Sequence, residues 1–292
     1  MDDSLAPVAP PSRPSVADKR RQFHELHRSG CFVIPNPWDV GSARFLQSLG
    51  FKALASTSSG FAWSHAYPDG AAPRDQVLAH LTEIVAATDV PVNADFQNGY
   101  AHDPDELESN VRLAIATGVA GLSIEDSTAD DAQPLYDLAT AAARIRAARR
   151  AIDTSGGNTL LVGRAECFLV GRPDLEETII RLKAYAQAGA DCLYAPGIST
   201  RAQIEAVVRA VAPKPVNVLL GWAGELSVQD VAALGVRRIS VGGALARAAW
   251  GGFVRAARLL ALQGSFAGFA DAASGRDLDR FFSDDLRQRT RS

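Results

Sequence analysis

One stretch, residues 91–126, decides the fold class: PVNADFQNGYAHDPDELESNVRLAIATGVAGLSIED. It begins with a short, mainly apolar run over residues 91–95 and ends with a second run over residues 120–124. Between the two runs, apolar residues recur at the spacing of one helix face, namely Leu107, Val111 and Ile115. The stretch therefore predicts a strand, a helix and a second strand that is parallel to the first.

The same alternation is repeated along most of the chain. The predicted strands cover residues 31–35, 52–56, 91–95, 120–124, 159–163, 191–194, 215–219 and 238–241. The predicted helices cover residues 40–49, 73–88, 104–117, 134–152, 173–188, 200–211, 228–234 and 243–262. Short, continuously apolar strands are typical of a parallel sheet that is buried on both faces. Eight β–α units in strict alternation predict a (β/α)8 TIM-type barrel, with an open doubly wound sheet as the alternative.

The chain of 292 residues is long enough for one such barrel with an extension at each end. Residues 1–18 are polar and rich in proline, which predicts a disordered N-terminal tail. Residues 19–292 are predicted to form a single domain, because no linker interrupts the repeat. Four phenylalanines follow the last barrel helix: Phe266, Phe269, Phe281 and Phe282. We expect extra C-terminal helices there, which cover the barrel or a neighbouring subunit.

Composition and charge exclude several classes of function. Hydrophobic residues make up 47% and charged residues 22%, and the net charge of −3 argues against a basic nucleic-acid-binding protein. No apolar run reaches the roughly 18 residues of a membrane span, and the first residues lack the apolar core of a signal peptide. The three cysteines match no zinc spacing and are too few for a disulfide scaffold. We therefore expect a cytoplasmic protein that acts on a small molecule.

In a barrel of this type, active sites lie on the face formed by the C-terminal ends of the strands. Asp95, Glu125 and Glu166 lie at three neighbouring strand ends, together with Arg164. Mg²⁺ prefers oxygen ligands, usually one or two carboxylates together with water and substrate. The arginine offers a planar fork for a carboxylate or a phosphonate. These four residues predict a magnesium site that binds a small anionic substrate.

Other strand ends are also polar. The turn over residues 56–60 offers hydroxyl groups and backbone amides to an oxyanion, Asp69 follows it, and Asn217 lies on the seventh strand. Each of these residues also has a structural interpretation, because Ser, Thr and Asp at strand ends often cap the next helix. A functional role is favoured because five strand ends carry polar side chains that could all face the same point of the barrel.

Other chemistries have less support. A Schiff-base aldolase needs a lysine at the C-terminal end of a strand, and none of the four lysines lies there. These are Lys19, Lys52, Lys183 and Lys214. Gly242-Gly243 could cradle a phosphate at a helix N-terminus or form a tight turn. His24-Glu25-Leu26-His27 has the wrong spacing for a metalloprotease helix and predicts a solvated helix before the barrel.

A set of short segments, taken in order, is specific to one group of enzymes. The first are Asn36-Pro37-Trp38-Asp39, Gly50-Phe51-Lys52-Ala53, Thr57-Ser58-Ser59-Gly60, Tyr67-Pro68-Asp69-Gly70 and Pro91-Val92-Asn93-Ala94-Asp95. The others are Gly99-Tyr100, Gly118-Val119-Ala120-Gly121, Ile124-Glu125-Asp126-Ser127, Gly163-Arg164-Ala165-Glu166 and Ala188-Gly189-Ala190-Asp191. Together they resemble the isocitrate lyase/phosphoenolpyruvate mutase superfamily, from about Phe23 to about Leu262. The chain looks most like its short-loop branch, which is similar to carboxyvinyl-carboxyphosphonate phosphorylmutase.

The resemblance implies a modified (β/α)8 barrel, often with the last barrel helix swapped between the subunits of a dimer, and often a tetramer. It implies Mg²⁺ and a small 2-oxo or 2-hydroxy carboxylate, in which a C–C or P–C bond next to a pyruvate-type enolate is made or broken. By position, Asp95 resembles the direct metal ligand and Glu125 a ligand through water. Thr57-Ser58-Ser59 resembles the turn that binds the substrate carboxylate. Asp69 resembles the site aspartate of the family, and Arg164 the arginine that holds the substrate.

Three departures from the family pattern narrow this function. The second residue after the metal aspartate is usually acidic, and here it is Gln97, whose amide oxygen is a neutral replacement. The lyases carry a catalytic cysteine in the loop after the fourth strand, whereas residues 126–133 contain no Cys, His or Lys. Cleavage of isocitrate or methylisocitrate by that route is therefore disfavoured. The Lys/Asn gating loop of the mutase is absent as well.

The sequence thus predicts a Mg²⁺-dependent lyase that acts on a small 2-oxo or 2-hydroxy carboxylate by C–C cleavage, decarboxylation or hydrolysis, through a metal-stabilised enolate. The predicted residues are Asp69 and Arg164 for catalysis, Asp95, Glu125 and Gln97 for the metal, and Thr57, Ser58, Ser59, Arg164 and Asn217 for the substrate. Two alternatives remain open: P–C bond chemistry of the phosphonopyruvate type, and a catalytically degenerate protein that binds 2-oxo acids. A homo-oligomer, either a dimer or a tetramer, is expected in each case.

Overall fold

The computed structural model describes residues 13–128, 130–156 and 158–291. Residues 1–12 of the predicted tail lie outside the described residues. The chain divides into two compact units, of which the first is Val16–Arg247 and the second includes the chain from Ala248 onward. The first unit contains all eight predicted strands.

These strands are parallel and follow one another around a barrel. They are β1 (Phe32–Ile34), β2 (Leu54–Ala55), β3 (Val92–Asp95), β4 (Gly121–Glu125), β5 (Leu160–Arg164), β6 (Cys192–Tyr194), β7 (Val216–Leu219) and β8 (Arg238–Ser240). Each strand from β2 onward pairs with the next, and β8 pairs with β1. A backbone hydrogen bond from Ala55 N to Pro35 O, 3.0 Å long, connects the two remaining edges. The predicted (β/α)8 barrel is therefore confirmed, and the open sheet is wrong.

Ten helices precede, connect or follow these strands in the described residues up to Gln263, and several of them begin at a side-chain cap, whereas the helix after Pro73 begins without one. They are α1 (Val16–Arg28), α2 (Val40–Ser48), α3 (Ser58–Ser64), α4 (Arg74–Ala87), α5 (Pro104–Ala116), α6 (Leu138–Thr154), α7 (Leu175–Gln187), α8 (Arg201–Val211), α9 (Val228–Ala233) and α10 (Ala244–Gln263). Helix α6 starts four residues later than predicted, because the Asp137 side chain accepts the N–H of Thr140. Asp39, Thr200 and Ser227 form reciprocal capping boxes with the third residues of their helices.

The strand register brings the polar ends of β3, β4 and β5 to one face. Asp95 lies opposite Ser123, and Glu125 lies opposite Arg164. Because the strands are parallel, their last residues share the C-terminal face of the barrel. The carboxylates of β3 and β4 and the guanidinium of β5 are therefore neighbours.

Helix α1 packs against the barrel through the ring of Phe23. Phe23 is fully buried in a cluster with side chains of several strands: Ile34, Ala53, Ala55, Ala120, Leu160, Val162, Cys192 and Tyr194. A Cβ atom added at Gly121 would lie 2.6 Å from Phe23 Cε1, so only glycine leaves room for this ring. The helix begins at Val16, and residues 16–18 of the predicted tail are therefore helical. Phe23 and His27 are buried, so the prediction of a solvated helix is wrong for this face of α1.

The second unit contains the extra C-terminal helices that the sequence predicts. Helix α10 continues to Gln263, a 3-10 turn covers Ala267–Phe269, and α11 covers Gly275–Arg291. Large apolar side chains of this unit are exposed, and for Leu262 and Phe266 the exposed fractions are 79% and 70%. Within the described ranges, no helix is both long and apolar enough to cross a membrane.

Burial of His27 makes the stability of the barrel sensitive to acid. Its Nδ1 donates to the carbonyl of Phe23 at 2.7 Å, and its buried Nε2 has no partner in the part of the chain that the structure describes. Burial, together with the positive charge of Arg238, lowers the pKa of His27 from 6.5 to about 3. The folded protein holds this ring neutral, so the unfolded chain binds more protons as the pH falls below 6.5.

Wild type should therefore become less stable between pH 7 and pH 4.5. We expect the free energy of unfolding of His27→Gln to fall by about 2 kcal/mol less than that of wild type over the same interval. Urea unfolding of both proteins at the two pH values measures this difference. His24→Gln, one turn away on the same helix, is the matched control. If wild type and His27→Gln lose the same free energy on acidification, His27 is not the responsible group.

Candidate active site

A cavity of about 290 Å³ opens at the C-terminal ends of the strands, a size near the lower end of the range for small-molecule sites. Its polar lining includes Asn36, Thr57, Ser58, Ser59, Asp69, Asn93, Asp95, Ser123, Arg164, Tyr194, Arg238, Ser240 and Arg247. Its apolar lining includes Trp63, Leu169, Leu219 and Trp222. Of the predicted site residues, four do not belong to the lining: Glu125, Glu166, Gln97 and Asn217. The cavity thus brings most of the predicted residues together around one space.

Asp95, the last residue of β3, is held by the turn that follows β2. Ser58 donates two hydrogen bonds to Asp95 Oδ2, from its backbone N–H at 2.9 Å and from its Oγ at 2.8 Å. The backbone N–H of Asp95 donates to Ser56 Oγ at 2.9 Å. These bonds fix the direction of the carboxylate, and its other oxygen, Oδ1, accepts from Arg164 Nη1 at 3.2 Å.

The predicted turn over residues 57–59 has a structural role in addition to lining the cavity. Thr57 caps α3, and its Oγ1 accepts the N–H of Gly60 at 3.3 Å. The same oxygen lies 3.1 Å from Ser59 Oγ. Thr57, Ser58 and Ser59 all line the cavity, and the hydroxyl of Ser58 is the one that is engaged with Asp95.

Arg164, the last residue of β5, is surrounded by carboxylates. Its Nη1 lies 3.2 Å from Asp95 Oδ1 and 3.1 Å from Glu125 Oε2. Its Nε pairs with Glu166 Oε1, and its Nη2 donates to Glu166 Oε2 at 3.2 Å. One positive charge therefore faces three carboxylates, so the cluster has an excess of negative charge when all groups are ionised.

Burial and mutual repulsion raise the pKa values of these acids. Burial raises the pKa of Glu125 above its ordinary value, and the charges of Glu166 and Asp95 add to this effect, while Arg164 opposes it. Burial likewise raises the pKa of Glu166. At the edge of the cavity, partial burial and the charge of Asp95 raise the pKa of Asp69. Although burial alone would lower it, the pKa of Arg164 is raised by Glu166 and Glu125. The guanidinium therefore remains charged.

Gln97 lies in the loop that follows β3, beside the carboxylates rather than in the cavity wall. Its backbone has a φ of +49°, in the left-handed region, and its carbonyl accepts the N–H of Glu125 at 3.0 Å. Its buried Nε2 has no hydrogen-bond partner among the residues that the structure describes. Arg144 of α6 holds this loop through the carbonyls of Asn98 and His102.

Asn217 lies behind the cavity lining. It is fully buried, its Nδ2 donates to Ser240 Oγ at 3.0 Å, and its Oδ1 accepts from Arg238 Nε at 2.8 Å. Arg238 Nη1 also contacts Asn93 Oδ1 at 3.3 Å. This arginine lines the cavity but has no carboxylate partner among the described residues. Asn217 therefore contacts two residues that line the cavity, Arg238 and Ser240, rather than lining it itself. The sequence analysis did not predict a role for Arg238 or Ser240.

The backbone N–H groups that follow β8 are partly engaged by Asn36. The N–H groups of Val241 and Gly242 both donate to Asn36 Oδ1 at 2.9 Å. Asn36 in turn donates to the carbonyl of Ser56 at 2.9 Å. Gly243 approaches another chain segment closely, since an added Cβ would lie 2.7 Å from Ser59 Oγ. The tight-turn interpretation of Gly242-Gly243 therefore fits the structure better.

Asp126, next to Glu125, belongs to a separate buried network. Its Oδ1 accepts the backbone N–H of Glu166 at 2.8 Å, and its Oδ2 pairs with Arg181 at 3.1 Å. Tyr185 donates to the same Oδ2. The network fixes the backbone of Glu166 and so supports the carboxylate cluster from outside. The three cysteines are free, and none belongs to the cavity lining.

The residues present fit a hard divalent cation that keeps several of its own waters. In the described ranges, no group of three or more His, Cys, Asp or Glu side chains could enclose a metal by itself. Mg²⁺ does not need such a cage, because it is usually bound by one or two carboxylates together with water and substrate. Asp95 and Glu125 both lie within 3.2 Å of one guanidinium nitrogen and supply oxygen donors.

A protein-family model matches most of the chain. Residues 23–261 match the family model described as phosphoenolpyruvate phosphomutase. The chain belongs to this family, in the phosphoenolpyruvate mutase/isocitrate lyase superfamily of enzymes, and the resemblance seen in the sequence is confirmed.

Individual relatives support the same assignment. A structure from Burkholderia cenocepacia J2315, described as a candidate lyase/mutase, is 47% identical, with a TM-score of 0.89 over 92% of this chain and 97% of that chain. The structure of 2,3-dimethylmalate lyase is 25% identical, with a TM-score of 0.81 over 96% of this chain and 98% of that chain. An oxaloacetate decarboxylase from Paraburkholderia xenovorans (strain LB400) is 30% identical over 238 residues, which cover 77% of this chain and 75% of that protein.

The position of Asn217 leads to a test of its role. Asn217→Ala removes the acceptor for Arg238 Nε and leaves a buried charged group short of one partner. We expect a loss of about 3 kcal/mol in the free energy of unfolding, measured with urea. Asn158→Ala, on an exposed side chain, is the control and should change stability by less than about 0.5 kcal/mol. Equal stability of the two variants would contradict a structural role for Asn217.

Proposed function

We propose that this protein is a Mg²⁺-dependent lyase that cleaves a C–C bond of a small 2-oxo or 2-hydroxy carboxylate. Loss of CO2 from a 2-oxo acid such as oxaloacetate leaves a pyruvate enolate, whereas cleavage of a 2-hydroxy acid releases a 2-oxo acid and leaves the electron pair on the other fragment. The observation that carries the proposal is the cluster in which three carboxylates share the guanidinium of Arg164. A divalent cation would favour the ionised form of these carboxylates and balance their negative charge, and members of this superfamily are generally dependent on a divalent metal. Decarboxylation is the form of cleavage that we favour, because a relative of 30% identity is an oxaloacetate decarboxylase.

Asp95 and Glu125 are the residues that would hold the metal, Asp95 directly and Glu125 through water. Gln97, two residues after Asp95, carries a neutral amide whose Nε2 is buried without a partner among the described residues. When bound, Mg²⁺ would offset the negative charge that develops on the substrate oxygens. Ser58 has a supporting role in this arrangement, because its two hydrogen bonds keep Asp95 in one orientation.

The remaining residues bind the substrate and move a proton. Thr57 and Ser59 offer hydroxyl groups to the substrate carboxylate, and Arg164 presents its positive charge from β5. Asp69 Oδ1 lies 3.4 Å from Ser58 Oγ at the edge of the cavity. Because partial burial raises its pKa, Asp69 can retain a proton to a higher pH than an exposed aspartate. We assign to this carboxyl group the transfer of a proton to the enolate carbon, or the orientation of a water molecule that does so.

A second candidate is P–C bond chemistry of the phosphonopyruvate type on the same residues. The description of the matched family model, phosphoenolpyruvate phosphomutase, favours it. A degenerate protein that binds 2-oxo acids without turnover is the remaining alternative. In each case, we infer that the protein is a homo-oligomer, a dimer or a tetramer, in which a second copy covers exposed residues such as Leu262 and Phe266.

Pyruvate release distinguishes these functions. The reaction is coupled to NADH oxidation by lactate dehydrogenase, with Mg²⁺ or with EDTA, and spontaneous decay of oxaloacetate is subtracted. The substrates are oxaloacetate, 2-methylisocitrate, 2,3-dimethylmalate and phosphonopyruvate. We expect metal-dependent release from oxaloacetate. For phosphonopyruvate, pyruvate kinase and ADP are added, because a mutase would form phosphoenolpyruvate rather than pyruvate. A signal from phosphonopyruvate alone would favour P–C chemistry. No signal from any of the four substrates, despite tight binding of a 2-oxo acid, would favour the degenerate binding protein.

Asp95→Ala is expected to abolish this turnover. The variant lacks the carboxylate that we propose as the direct ligand, and a loss of several kcal/mol in transition-state stabilisation corresponds to a rate reduction of about 1,000-fold or more. The initial rate of pyruvate release at saturating Mg²⁺ measures it. Asp131→Asn, on an exposed residue of the loop after β4, should retain the wild-type rate. A folded Asp95→Ala protein that turns over normally would exclude Asp95 as the metal ligand.

A further inference from the structure

The arginine at the centre of the site has little capacity left for the substrate. Each of the three nitrogens of Arg164 contacts a carboxylate, from Asp95, Glu125 or Glu166. An arginine fork binds a carboxylate strongly when two parallel N–H groups are free to donate to it. Arg164 has no such free pair, so a second carboxylate on the substrate needs another cation.

Arg247 is a cation that lines the same cavity and has no carboxylate partner among the described residues. Its Nη2 donates to the carbonyl of Gly221, in the loop after β7. The side chain is exposed, so the remaining N–H groups can exchange water for a ligand at small cost. The other unpaired arginine of the lining, Arg238, is 2% exposed, and its N–H groups already contact Asn217 and Asn93.

The position of Arg247 in its helix is unfavourable in the absence of an anion. It lies in the first turn of α10, which begins at Ala244. The helix N-terminus carries partial positive charge, so a cation there opposes the helix dipole. Helix stability therefore gives no reason for an arginine at this position, whereas an anion bound in the cavity would remove the repulsion.

Trp222 supports the guanidinium of Arg247. The guanidinium carbon lies 5.6 Å from the centre of the Trp222 ring, within the range of a cation–π contact. Both residues line the cavity, and Trp222 is 62% exposed. The aromatic ring limits the directions that the long arginine side chain can take. On this side of the cavity, the guanidinium of Arg247 is therefore held in a limited range of orientations next to the indole ring of Trp222.

We propose that Arg247, supported by Trp222, binds the distal carboxylate of the substrate. The substrate class is then a 2-oxo or 2-hydroxy dicarboxylate, with one carboxylate at the Thr57-Ser58-Ser59 turn and the other at Arg247. This inference rests on the proposed function for the first carboxylate. It adds a specificity-determining residue, contributed by α10, that contacts the part of the substrate away from the reacting oxygens.

Two four-carbon acids test the proposal by binding alone. Malate and 2-hydroxybutyrate share the 2-hydroxy acid end and differ in the distal carboxylate. Isothermal titration calorimetry in the presence of Mg²⁺ gives Kd for both acids. We expect wild type to prefer malate. Arg247→Met should weaken malate binding by about 10- to 100-fold and leave the binding of 2-hydroxybutyrate unchanged.

Two further variants serve as controls. Arg247→Lys should retain part of the preference for malate, because it keeps the charge and loses the planar fork. Arg255→Met, at an exposed position two turns further along α10, should retain all of it.

The outcomes separate this inference from the proposed function. If Arg247→Met binds malate as tightly as wild type, or loses affinity for both acids equally, Arg247 does not bind the distal carboxylate. The proposed lyase function stands in that case, since it is measured separately by pyruvate release. If wild type binds neither acid and releases no pyruvate from any substrate, both the function and this inference are wrong.

Discussion

The ion pairs of Arg164 are the interaction on which the arrangement of the site depends. This residue ends β5, and its guanidinium connects the last residue of β3, the last residue of β4 and the residue that lies two positions after it. The side-chain positions are thus set by charge, while the strand register sets the backbone. Breaking an ion pair between a buried guanidinium and a carboxylate is costly, because the partner that remains carries an uncompensated charge. The same cluster therefore organises the cavity and leaves the negative charge that a cation would balance.

Much of the fold and part of the site could be predicted from the sequence, because both follow a simple rule. Eight alternating units predict a barrel, and parallel strands place their C-terminal residues on one face. Asp95, Glu125 and Arg164 are last residues of strands, so this rule alone brings them together. The turn after β2 lines the same cavity because it begins where that strand ends. For these strand-end residues, the position in the strand is sufficient to predict that the side chain lies on the C-terminal face of the barrel.

The residues that were missed depend on information that a strand pattern does not contain. Trp222 and Arg247 meet because the loop after β7 lies beside the start of α10, and no periodicity reports the conformation of a loop. Asn217 stays a prediction as a substrate residue, and the structure adds its partners Arg238 and Ser240, which come from the adjacent strand and line the cavity. Phe23 and His27 are buried because α1 packs against the barrel, a tertiary contact that the composition of α1 conceals.

The side-chain bridge of Asn36 has a consequence for local stability. The β1–β2 edge has a single pairing bond in the described backbone, from Ala55 to Pro35, and Asn36 supplements it by connecting Ser56 to the loop after β8. The contacts between β1 and β2 are continuous with the turn over residues 57–59, which lines the cavity. A molecule bound to this turn therefore also stabilises the β1–β2 contacts, so that ligand binding in the cavity opposes local unfolding of this edge. The amide hydrogen of Ala55 is therefore a reporter of the site, and its exchange with solvent slows when the cavity is filled.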